Sequence, residues 1–69
     1  MELFSEHRIY EVVYRGNHYT FMRFIRMDNI CDICYFTLKN TLTGEMFTFE
    51  QSGILGIRVI SERYEASAS

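Results

Sequence analysis

The feature that most constrains this chain is a rhythm of four apolar-rich runs cut by short turn-forming segments. Residues 8 to 15, 18 to 27, 30 to 40 and 45 to 51 are dense in Val, Ile, Phe, Tyr and Thr. Such side chains suit a pleated, half-buried strand. No proline interrupts the chain, so nothing in it forbids a continuous ladder of backbone hydrogen bonds. Between the runs stand "RGNH", "MDNI" and "NTLTGE". The first predicts a two-residue hairpin turn at Gly16-Asn17, where positive φ is needed. The second predicts one at Asp28-Asn29. The third predicts a four-residue loop with Gly44 in the left-handed position.

Each turn sets a register, and each register sorts side chains onto two faces. The first turn pairs Val12 with Phe21 and Tyr10 with Arg23. The second pairs Phe21 with Phe36 and Tyr19 with Leu38. The third pairs Leu38 with Phe47 and Phe36 with Phe49. One face then collects Tyr10, Val12, Tyr14, Tyr19, Phe21, Ile25, Cys34, Phe36, Leu38, Phe47 and Phe49 as the expected core. A fifth strand over residues 57 to 63 is expected to pair back with the first. The linker "SGILG" before it fits a 3₁₀ turn that plugs one end of the sheet with Leu55. Leu3 and Phe4, in an N-terminal helical turn, would cap the other end. The expected fold class is all-β: a five-stranded antiparallel meander closing into an SH3-like small barrel. An OB-like barrel and an open curved sheet are the alternatives. Residues 1 to 64 form the single domain and residues 65 to 69 a frayed tail.

A chain of 69 residues buries a low fraction of its surface and gains from a partner, a metal or disulfides. The two cysteines are too few for a disulfide framework. No signal peptide or membrane-spanning stretch is read in the sequence, and a cytoplasmic protein is expected. Net charge is −2, with a single lysine, Lys39. That argues against a general nucleic-acid binder.

Cys31 and Cys34 form a C-x-x-C pair, the spacing of half a zinc site. Placed inside an extended strand they point to opposite faces, and Cys34 packs on the core beside Phe36. The expectation is a structural pair, with an intersubunit zinc at Cys31 and Cys34 as the alternative. Arg23, the one charge on the core face, is expected at its rim, paired with Asp32. The scattered histidines, serines and carboxylates form no catalytic constellation, and the glycines form no phosphate-binding run. Neither an enzyme nor a cofactor is expected.

The opposite face of the same registers carries Ile9, Met22, Phe24, Ile33 and Tyr35, rimmed by Glu11, Arg26 and Glu50. A contiguous apolar patch with a polar rim marks an interface, or a second core if a bulge switches the faces midway. The functional expectation is a non-enzymatic protein-binding module: a regulator, inhibitor or assembly subunit. Its partner-binding residues are Ile9, Met22, Phe24, Ile33, Tyr35, Glu11 and Arg26. It binds another protein or itself, with a homodimer first. The alternatives are an Sm-like or OB-like nucleic-acid binder and an oligomeric small-ligand sponge.

Overall fold

The computed structural model describes Phe4 and residues 7 to 62. Five antiparallel strands make one sheet: β1 (Ile9–Tyr14), β2 (Asn17–Ile30), β3 (Ile33–Asn40), β4 (Met46–Glu50) and β5 (Ile54–Ser61). Their spatial order is β4-β3-β2-β1-β5. The meander and the return of the last strand to the first are therefore as expected. A 3₁₀ turn, Gln51–Gly53, joins β4 to β5. Among the described residues the two edge strands share no ladder, so the sheet is curled but open. Its curl brings the end of β1 back to the end of β4. The Glu50 N–H donates to Tyr14 Oη at 3.2 Å, and the Arg15 N–H donates to the Gly53 carbonyl at 2.9 Å.

The third hairpin has the expected register. Leu38 faces Phe47, Phe36 faces Phe49, and Gly44 has φ +81°. The Asn40 side chain holds the loop by accepting from the N–H groups of Leu42 and Thr43, an Asx-type turn.

The other two turns lie elsewhere. Tyr14 pairs with Asn17, so the first turn is Arg15-Gly16 and not Gly16-Asn17. Both residues have positive φ, 50° and 90°, which is the type I′ requirement, and glycine occupies the second central place. Ile30 pairs with Ile33, so the second turn is Cys31-Asp32 and not Asp28-Asn29. Here two non-glycine residues take φ of 52° and 65°. The hairpin gains the pairs Asp28–Tyr35, Asn29–Cys34 and Ile30–Ile33 in return.

Strand β2 also carries two bulges that the alternation reading lacked. On its β1 side Tyr10 pairs with Met22 and Val12 with Tyr19. Thr20 and Phe21 thus stand against Glu11 alone, with Phe21 at φ 57°. On its β3 side Phe24 pairs with Leu38 and Arg26 with Thr37, which leaves Ile25 as an extra residue. Each extra residue inverts the faces of the strand positions beyond it. Between the bulges the inward residues are Met22 and Phe24; Phe21 is turned out to solvent and Ile25 does not join the core. Arg23 alternates with Met22 and Phe24 and faces away from the core, opposite Ile9 and Lys39. It is not the core-rim partner of Asp32, which lies in the hairpin turn.

The core is Phe4, Tyr10, Val12, Met22, Phe36, Leu38 and Phe49, flanked by Tyr14, Tyr19, Phe24, Cys34, Phe47, Ile54, Ile57 and Val59. Phe4 plugs one end. Its ring stacks on Phe24 at 5.3 Å and meets Tyr10 and Phe36 edge-on at 4.9 and 5.1 Å, the separations at which aromatic pairs attract. The rest of the expected N-terminal turn, with Leu3, and the tail lie outside the described residues. Leu55 does not plug the opposite end. It is an extra residue in β5 against Val13 and Tyr14, and it is exposed. Gly53, buried in the 3₁₀ turn, lies against Tyr14 there instead.

Candidate functional site: the β2–β3 hairpin tip

The expected apolar patch does not exist as one surface. Met22 is wholly buried, and Phe24 packs on the core. Both belong inside because the bulge at Phe21 turns them there. Ile9 is buried too and faces Arg23. Ile33 stands across from Ile30, whereas Tyr35 lies between Asp28 and Glu50. Arg26 donates its Nε–H to Asp28 Oδ2 at 3.0 Å.

Glu11 takes part in a separate polar cluster. Arg58 donates from Nε and Nη2 to its Oε1 at 3.0 and 2.7 Å, and His18 Nδ1 lies 3.4 Å from Oε2. The Arg58 hydrogen bonds, then that of His18, hold the Glu11 carboxyl below the ordinary carboxylate value. These are surface contacts that tie β1 to β5 and to the start of β2.

What the structure does bring together is the tip of the longest hairpin. The molecule measures 40 × 23 × 22 Å, and β2 is its longest strand, with 14 residues. Near its end Met27 and Ile30 are more than half exposed, and Ile33 is exposed as well. Burying a large aliphatic side chain is worth about 1.5–3 kcal/mol, so this trio carries free energy available to a partner. The turn between Ile30 and Ile33 holds Cys31 and Asp32 in left-handed backbone, a conformation costing roughly 1–2 kcal/mol per non-glycine residue. Backbone strain of this kind gathers at functional sites. Sequence reasoning missed the tip because it placed the turn three residues early. The Ile-x-x-Ile framing of the two central residues was the signal that could have found it.

Comparison with protein-family models, curated proteins and solved structures returns no match to this chain. No helix among the described residues is long and apolar enough to cross a membrane.

Proposed function

We propose that this chain is a non-enzymatic protein-binding module that docks through its β2–β3 hairpin tip and works as a regulator, inhibitor or assembly subunit in the cytoplasm. The observation that carries the reading is the exposure of Met27, Ile30 and Ile33 together at one hairpin end. Ile30 and Ile33, paired across the strands on one face of the tip with Met27 on the other, fit an apolar cleft of a partner protein, and docking would replace water at both isoleucines. The described arginines favour this over a nucleic-acid surface. Arg8, Arg15, Arg26 and Arg58 each stand in an ion pair with a carboxylate, which leaves less charge for phosphate.

The test is a double substitution, Ile30→Asp with Ile33→Asp. Both side chains are exposed, so the fold should survive by circular dichroism. Partner capture from native lysate, or self-association by light scattering, should be lost. Capture unchanged by the double substitution would remove the tip from the binding surface.

A further inference from the structure

Strand β5 stands at the end of the sheet and, among the described residues, pairs with β1 alone. One side of its backbone is therefore open to another strand. Such edges are ordinarily guarded by lysine, proline, bulges or short length. The eight residues of β5, ILGIRVIS, include neither lysine nor proline. Bulges at Leu55 and Ile60 bound a regular stretch from Gly56 to Val59, and both bulged side chains are exposed. A groove of about 250 Å³ runs along the start of the strand, lined by Ile54, Leu55, Gly56 and Ile57 with Gln51. In the regular stretch β1 fixes the faces. Ile57 and Val59 stand opposite Val12 and Tyr10 and pack on the core, whereas Gly56 and Arg58 stand opposite Val13 and Glu11 on the outer face. Nothing lies within 4 Å of a Cβ built on Gly56.

We infer that β5 is the seam of a symmetric homodimer, in which the β5 edges of two copies pair antiparallel about a two-fold axis at Ile57. Opposite residues of an antiparallel pair share a face, so the axis passes through a residue and not between two. Within Gly56 to Val59 it then falls at Ile57 or at Arg58. An axis at Arg58 sets like charges directly opposite, which is destabilising. An axis at Ile57 sets Arg58 of each copy over the open space at Gly56 of the other, and the two isoleucines meet on the core side. Ile54 and Leu55 then come beside Ile60 and Val59 of the second copy, where the groove lies. Each Arg58 brings its own counter-charge, since Glu11 of the same copy accepts from its Nε and Nη2. The seam is thus matched in charge as well as in size. An isologous contact of this kind closes at two copies. It lies on a different strand from the β2–β3 tip and does not depend on docking there.

The experiment is sedimentation equilibrium of the purified chain over a range of concentrations, with amide hydrogen exchange at both ends of the range. The native chain should reach two copies and no more, and the outward amides between Gly56 and Val59 should exchange more slowly in the dimer. Gly56→Lys puts a second cation opposite Arg58 of the other copy and should weaken association at least ~10-fold, because like charges set together across an interface cost a decade or more of affinity. Gly56→Glu offers that arginine a carboxylate and should tighten association about fivefold, the upper end for an exposed ion pair. Both side chains enter open space, so circular dichroism should show the native fold in each. A native chain that is monomeric at every concentration overturns the proposal, as does equal association of Gly56→Lys and Gly56→Glu. Slowed exchange in β4 together with β5 shows head-to-tail pairing of unlike edges and overturns the two-fold. Association that survives Gly56→Lys and is lost in Ile30→Asp with Ile33→Asp assigns the self-contact to the tip and overturns the edge, leaving the docking proposal intact.

Discussion

A Cβ placed on Gly53 would stand 2.7 Å from Cε1 of Tyr14. The Tyr14 ring has little freedom to withdraw. It leans on Phe49 at 4.6 Å, and its hydroxyl accepts the Glu50 N–H. The corner between β4 and β5 therefore closes only over a glycine. Gly53→Ala should destabilise the fold by about 1–3 kcal/mol, the usual cost of overpacking. Gly56→Ala is the control, since nothing lies within 4 Å of its added methyl. Urea denaturation of both variants would check this, and equal midpoints would mean that the corner yields.

The bulge at Phe21 predicts an unusual ranking of neighbours. Met22→Ala removes a wholly buried side chain and should cost about 2–5 kcal/mol. Phe21→Ala removes a larger but exposed ring and should cost less than about 1 kcal/mol, as exposed substitutions do. Phe24→Asp should unfold the chain, because it would put an unpaired carboxylate where the Phe24 ring stacks on Phe4. Denaturation curves that rank Phe21 above Met22 would restore the unbulged register.

The second turn is poorly chosen for stability. A type I′ turn favours Asn-Gly, and here Cys31 and Asp32 fill it. Replacing the pair by Cys31→Asn and Asp32→Gly should stabilise the protein by roughly 1 kcal/mol, since the left-handed cost falls. Urea denaturation would check this, and a midpoint no higher than that of the native chain would mean that the turn carries no such cost.

Glu11 predicts an acid limb. Its carboxyl is lowered from 4.5 by Arg58 first and His18 second, so the unfolded chain holds its proton to higher pH than the folded one. The stability it contributes is complete above the ordinary carboxylate value. It is lost as pH falls below about 4.5 and through the lowered folded value. Glu11→Gln should be less stable than the native chain at neutral pH and should converge with it in acid. Thermal melts across the acid range, from neutral pH to below the Glu11 value, would show this, and parallel curves would exclude Glu11 from the acid response.

The sequence pattern of apolar runs and turn-forming breaks determined the five strands, their order and most of the core. Nine of the expected core residues, from Tyr10 to Phe49, pack in or against it. The two that do not, Phe21 and Ile25, are the extra residues of the β2 bulges. Alternation has a period of two, so one inserted residue inverts a face without changing local composition. A trace of this was legible. Arg23 and Arg26 are three apart and both face away from the core, which no regular strand allows, and Phe21-Met22 is an apolar doublet. Turn positions were decided at longer range. Gly16-Asn17 and Asp28-Asn29 are good local turns, but neither offers what the observed ones do. The Arg15 N–H reaches the Gly53 carbonyl across the curled sheet, and the longer second hairpin adds cross-strand pairs out to Ile30 and Ile33. Local preferences differ by about a kilocalorie per residue, and several backbone hydrogen bonds, each worth a similar amount, together outweigh them.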